Sequence, residues 1–409
     1  MSGDLNSAPL AGIRMLDFGH IVAGPFCARL LADLGVDLVK VETATREGRT
    51  GARRNRGGGA SKGDGSGRTS LLAHINRNRR SIDLNLKSDQ GREIARRLID
   101  SADVLVENFS SGVMDRLGLG YDDVCKTNPR LVYASMSAYG HSGPRTAWTG
   151  MNVNLQAYSG MMMATGGPSD PPIGISNSWN DYIGGLHAAV GIVGALSKRI
   201  ETGRGFHIDL SQFEGSVGMV GSLLVASAVT GKPPVRMGNR SDDAAPQGCY
   251  PCFGADQWCA ISVQGDAQWQ ALLDAMGDAS SVLNQTKFAT LAGRLQYHDE
   301  IDVLLARWTR TLAPVEIEHR LRNSGVAASA MRRGNELADA VEWKQVLRPL
   351  VGSQIPGDRT VGSPMVFRGS RPVDPQVAPR MGQHGREVLR EWLRMDERSI
   401  DQFIGEEAA

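Results

Sequence analysis

A carboxylate, a glycine turn and a cluster of arginines are the groups in this sequence best placed to do chemistry. Asp181 heads a helical run that opens Asn177-Ser178-Trp179-Asn180-Asp181-Tyr182. By spacing alone it reads as the N-cap, a side chain that accepts from the first free backbone N–H groups. Val22-Ala23-Gly24-Pro25 makes a tight turn into another helix, with proline where the first helical position suits it. Such a turn aims backbone N–H groups at one point and favours a phosphate or another anion. Residues 46–80 hold Arg46, Arg49, Arg53, Arg54, Arg56, Lys62, Arg68, Arg77, Arg79 and Arg80 against only Glu47 and Asp64. Guanidinium groups suit bidentate contact with phosphate; a solvated basic loop is the plain alternative.

These groups need a frame. Residues 13–18 and 36–42 read as strands on either side of a helix over 26–34, a βαβ unit of a parallel sheet. Residues 82–86, 104–106, 131–137 and 206–211 read as further strands, and Ser88 as the cap of a helix over 90–102. The strand at 104–106 ends in Glu107-Asn108-Phe109, and open parallel sheets bind ligands at that end. The helix from Asp181 closes at Gly203 and is apolar almost all round, so it is expected to be buried. Small residues at Gly184, Ala188, Gly191 and Ala195 lie on one face and admit a close backbone neighbour. Ser211-Gln212-Phe213-Glu214 is a capping box that starts a helix over 215–229.

Composition narrows the class. The chain has 409 residues, 45 basic and 44 acidic, and a formal net charge of +1, so no global field points to nucleic acid. No run of 18 apolar residues occurs, so no membrane-spanning helix is expected. The five cysteines are an odd, sparse set that suits a reducing, cytoplasmic setting. Cys249 and Cys252 have metal-ligand spacing without a second pair, so no metal site is assigned. The turn at Val22 is not a dinucleotide fingerprint, and Gly57–Gly63 lacks the lysine-hydroxyl order of a P-loop.

Asp181 to Ser211, with Thr202-Gly203-Arg204-Gly205-Phe206-His207-Ile208-Asp209-Leu210-Ser211, resembles the family III coenzyme A transferases, the formyl-CoA and carnitine CoA-transferase family. Ala23-Gly24-Pro25 through Lys40-Val41-Glu42 and Asn76-Arg77-Asn78 through Gly118 match further blocks of that family, and Pro379 to Leu389 its closing motif. The resemblance implies a Rossmann-like large domain with a parallel sheet, built from N- and C-terminal parts, and a smaller α+β domain, in an interlocked dimer with itself or a paralogous subunit. The expected spans are 1–231, 232–325 and a C-terminal return at 326–409. The resemblance makes Asp181 the nucleophile and gives CoA contacts to Val22, Ala23, Leu84, Asn108, Phe109 and Arg116; of the loop arginines, Arg46 is the one assigned to the CoA phosphates. Relatives often carry a basic residue where this chain has Thr43. The implied cofactor role is a CoA thioester used as substrate, with none bound permanently.

The implied chemistry is stepwise. A carboxylate attacks an acyl-CoA to give a mixed anhydride and CoA thiolate. The thiolate reattacks the aspartyl carbonyl and frees the acid, and a second acid takes the CoA by the reverse route. Each oxyanion needs fixed N–H donors and a dry site, which the Val22-Ala23 turn and glycine-rich lids are expected to supply. The helix-to-strand block also resembles the catalytic-type (F) subunit of succinyl-CoA:(R)-benzylsuccinate CoA-transferases, which implies succinyl-CoA as donor and a benzylsuccinate-like acceptor. Racemases of the same fold use a Gly-His-Asp motif, and this chain has Gly150-Met151-Asn152, without the histidine that would be the second base. A non-catalytic CoA-binding subunit tends to lack the aspartate, which this chain keeps. His141 reads as a loop histidine.

Overall fold

A computed structural model describes residues 7–43, 71–339, 341, 344, 346–370 and 373–408. Its main sheet has six parallel strands: β1 Arg14–Asp17, β2 Asp37–Glu42, β3 Arg80–Asp83, β4 Val104–Glu107, β5 Val132–Ser137 and β6 Phe206–Ser211. The spatial order is β3-β2-β1-β4-β5-β6, the doubly wound arrangement whose direction of progression reverses between β1 and β4. Side chains alternate across it. Met15, Val104, Val106, Val132 and Ala134 face the helices Ala23–Ala32 and Trp179–Thr202. Leu16, Leu105 and Tyr133 face the other way, onto the helix Asp89–Asp100 and the C-terminal helices Gly385–Leu393 and Glu397–Ala408. N- and C-terminal parts of the chain therefore share one core.

Two compact units divide the described chain: Met163–Ile173 with Pro233–Trp343 form the second, and the remainder the first. The second holds an antiparallel sheet of β7 Gln247–Pro251, β8 Trp258–Ser262 and β9 Ala327–Ala330. Its core joins Tyr250, Cys259 and Ile261 to Trp269, Phe288, Ile301 and Leu321 on the surrounding helices. The return to the first unit comes later than the expected 326. Ala328 and Ala330 are buried and Ala327 and Ser329 exposed, so this alternating segment completes the small sheet against β8, and the chain rejoins the first unit at Lys344.

Two helices differ from expectation. The run over 215–229 is broken at Val220 into Gln212–Met219 and Gly221–Thr230, bent by 64°. No single helix among the described residues is long and apolar enough to cross a membrane; this bent pair passes by length and composition only. The helix Trp179–Thr202 is buried on one face: Ala188 and Ile192 are inside, whereas Leu186, Val190 and Ile200 are exposed. Apolar periodicity reports that a partner surface suits the helix, and the described residues cover only part of it.

Candidate functional site

The switch between β1 and β4 is built on a buried charge cluster. Asp17 ends β1 with no exposure. One of its oxygens accepts from the Gly19 amide at 2.7 Å and the other from Arg79 at 2.6 Å, with the Lys40 ammonium 3.4 Å away. Lys40 also donates to the Gly19 carbonyl. Glycine 19 is thus held at both its N–H and its C=O. A Cβ there would lie 2.8 Å from an Asp17 oxygen, so the close approach requires glycine.

Across the switch, the Asn108 side chain bonds the backbone of His20 in both directions, accepting from its N–H at 2.6 Å and donating to its carbonyl at 2.9 Å. The asparagine thereby joins the two loops where the sheet has no strand pairing to offer. The Phe109 ring meets the His20 ring edge-on with centroids 4.9 Å apart, and the Phe109 N–H donates to Glu107 at 2.8 Å. Burial, and then the Lys40 charge, bring the His20 imidazole down to about 4, so it is neutral at pH 7. Ile21 follows at φ +60°, a left-handed backbone that a β-branched residue adopts at a cost of about 1–3 kcal/mol. The side chains of Val22 and Ala23 are buried, and Val22, at the N-cap position, makes no side-chain cap. What this turn presents is backbone N–H.

Asp181 is not the N-cap. The helix starts at Trp179 behind Ser178, and Asp181 is its third residue, with its N–H bonded to the Ser178 carbonyl at 2.9 Å. Asn177 and Ser178 both have positive φ, 64° and 54°. Burial raises the Asp181 carboxyl to about 6, partly offset by a hydrogen bond from Ser178. The glycines of the expected small-residue stripe meet side chains, Gly184 that of Gln212 and Gly191 that of Ile208. The close backbone approach is at Gly185, outside the stripe, where a Cβ would lie 3.1 Å from the Ala23 carbonyl and 2.7 Å from the Phe26 ring. The Tyr182 and Phe26 rings also meet edge-on at 4.7 Å. Asp181 is one helical turn, roughly 5.4 Å, before Gly185, and Tyr182 beside it packs on Phe26, so the turn that carries Asp181 adjoins the helix Ala23–Ala32.

Gly185→Val should therefore push the two helices apart, at a cost of about 1–3 kcal/mol, and slow any reaction that needs Asp181 beside Val22. Gly405, in the helix Glu397–Ala408 with nothing within 4 Å of an added Cβ, is the control. Gly405→Ala should stabilise by about 0.5–1 kcal/mol, read by urea denaturation of both variants.

Val22, Ala23, Asn108, Phe109 and the turn of Asp181 thus come together. Arg116 lies beyond Phe109 on the short helix Val113–Arg116 and is exposed. Leu84 is a core residue with no exposure, and its carbonyl accepts from the Thr43 hydroxyl at 2.9 Å. Leu84 therefore offers a coenzyme no exposed surface, contrary to expectation: its N–H donates to the Glu42 carbonyl at 2.8 Å and Thr43 is engaged in holding its carbonyl. Arg46 lies outside the described residues. His141 is in a loop, as read, but its Nε2 sits 3.6 Å from Glu107 Oε1, and burial raises that carboxyl to about 7. His20, the clamp partner of Asn108, carried no sequence signal beyond its place after a strand.

The sequence matches CoA-transferase family III over residues 10–385. It is 32% identical over 387 residues to the acetyl-CoA:oxalate CoA-transferase of Acetobacter aceti, covering 94% of this chain and 96% of that one. It is 29% identical to the succinyl-CoA–D-citramalate CoA-transferase of Chloroflexus aurantiacus, covering 97% of each. Among solved structures, a CAIB/BAIF family protein from Brucella suis superposes with a TM-score of 0.84 at 28% identity, over 95% of this chain and 100% of that one.

Proposed function

We propose that this chain, which belongs to CoA-transferase family III, moves CoA between carboxylic acids with Asp181 as the covalent nucleophile. Its being a CoA-transferase follows from membership; the residue assignments rest on the site. The observation that supports them is the Gly185 contact, which sets the helix of a half-buried Asp181 against the helix whose N-terminus opens at the sheet's switch point.

The Asp181 carboxylate attacks the thioester carbonyl and expels CoA thiolate, leaving an aspartyl anhydride. The thiolate then attacks the aspartyl carbonyl, which releases the first acid and leaves aspartyl-CoA. The second acid reverses both steps and leaves with CoA. Backbone N–H at Val22 and Ala23 stabilises the oxyanions. Val22, Ala23, Asn108, Phe109 and Arg116 hold the coenzyme, with Arg46 as a further contact.

Succinyl-CoA is the proposed donor and (R)-benzylsuccinate the acceptor. The relatives named above use oxalate and D-citramalate, both dicarboxylic acids, as is benzylsuccinate. An aromatic group of Tyr139, Trp148, Tyr158 and Phe213, with the Arg145 guanidinium 5.6 Å and 5.3 Å from the Trp148 and Tyr158 rings, suits an acid that carries a phenyl ring. The exposed apolar positions Leu186, Val190, Val225 and Val229 support an interlocked dimer, with a second copy or a paralogue as the partner.

The test is mass spectrometry after incubation with succinyl-CoA and trapping with hydroxylamine: the modified residue should be Asp181. Label elsewhere, or none, sinks the assignment. Because the ionised form attacks, kcat/KM should rise with pH through about 6 and then level, in step with the raised Asp181 value. The native state binds this proton more tightly than the unfolded chain, so the group's contribution to stability falls as pH rises from its ordinary 3.8 to about 6.

A further inference from the structure

We infer that Asn152, braced by Gln156, is a remote cap that sets the Asp181 carboxylate in its attacking position; this rests on Asp181 being the nucleophile. The helix Trp179–Thr202 begins without a side-chain cap, because Ser178 lies in the left-handed region. Its first-turn N–H groups need another acceptor. The Asn180 N–H, directly before Asp181, donates to Asn152 Oδ1 at 3.3 Å, although the two residues are 28 apart in sequence. A backbone N–H can only donate, so the amide of Asn152 must turn its oxygen this way.

The same oxygen accepts from Gln156 Nε2 at 3.1 Å, one turn along the helix Asn152–Tyr158. Gln156 is 1% exposed and grips the backbone of Ile175 in both directions, accepting at 2.6 Å and donating at 2.7 Å. That segment leads straight into Asn177 and Ser178, whose positive φ values persist only while the surroundings hold them. Asn180 is fixed a second time through its own side chain, which donates to Ser216, and Ser216 in turn donates to the Gln212 carbonyl at 2.7 Å. Apart from the Gln156–Asn152 brace, every bond in this set ends on the backbone or on Asn180, the residue next to Asp181.

The experiment measures kcat and KM for succinyl-CoA at pH 8, thermal melting and hydroxylamine-trapped Asp181 for wild type, Asn152→Ala and Asn152→Asp. Aspartate can accept both hydrogen bonds; alanine accepts neither. Asn152→Ala should lose about 10- to 100-fold in kcat, the scale of a misplaced reacting group, with KM within about 2-fold, and Asn152→Asp should recover most of that loss. Equal kcat in wild type and Asn152→Ala, or equal losses in both variants, would overturn the cap. If Asn152→Ala fails to fold, Gln156→Leu removes the brace while leaving the Asn152 oxygen; it should lower kcat at constant KM, and wild-type kcat there is equally fatal. Absence of label on Asp181 in the wild type would overturn the nucleophile and the cap together, whereas normal wild-type label with an unaffected Asn152→Ala overturns only the cap.

Discussion

Asp181→Ala should lower kcat by 10⁴ to 10⁶, on the order of the losses that follow removal of a covalent nucleophile, while the dissociation constant for CoA stays within a few-fold. The split follows from the geometry. The coenzyme is assigned to the Val22 turn, Asn108, Phe109 and Arg116, all outside the helix that carries Asp181, and the Asn108–His20 clamp does not involve it. The aspartate supplies the atom that becomes acyl carrier, and neither alanine nor asparagine can form the anhydride. Its N–H, bonded to the Ser178 carbonyl, survives either substitution, so the first turn keeps its backbone pairing. Burial raises the native carboxyl to about 6, and removing it relieves that cost, so the alanine variant should melt no lower than wild type above pH 6. A stable protein that binds CoA and does not transfer it is the expected result. Initial-rate assays, equilibrium CoA binding and melting on the same preparation check it. Turnover at the wild-type rate would remove Asp181 from the chemistry.

Periodicity made the parallel sheet and its crossover helices legible, but it placed the close-packed face of the long helix on Gly184 and Gly191 when the backbone approach is at Gly185. It could not order the strands, since nothing local in 13–18 or 104–107 announces that β1 and β4 are neighbours. The site lies at that junction, so Asn108 was readable as a strand-end residue and its clamp on His20 was not. Asp181 looked like an N-cap because the left-handed turn at Asn177 and Ser178 leaves no mark in residue types. Its real cap is Asn152, and spacing rules for helix ends reach only a few residues. Leu186 and Val190 show a different limit: a sequence reveals which face is apolar, but not whether the same chain covers it. The late return at Lys344 went unread because strand alternation at Ala327–Ala330 is the same whichever sheet it joins.

The second large effect is on folding, and it also reaches the site. Asp17→Asn should destabilise by about 3–5 kcal/mol, the cost of breaking a buried ion pair by removing one partner. Arg79 and Lys40 would be left in the interior with amide hydrogens facing them in place of an anion. Burial already lowers the Lys40 ammonium, and Asp17 is the largest influence opposing that shift. Without Asp17 it falls further, so the unfolded chain binds more protons than the native one and the variant's stability should rise with pH. Urea midpoints at pH 7 and pH 9 measure that slope, which a simple packing defect would not produce. Asp17→Leu with Lys40→Met and Arg79→Met removes all three charges and should regain much of the stability, since apolar replacement of a whole buried ion set is often neutral. It should still bind acyl-CoA poorly. Gly19 would keep neither the carboxylate on its N–H nor the ammonium on its C=O, and the turn that Asn108 must grip at His20 would be free to move. A triple variant with both stability and KM at wild-type values would mean that the buried charges hold up the fold alone and play no part in shaping the coenzyme turn.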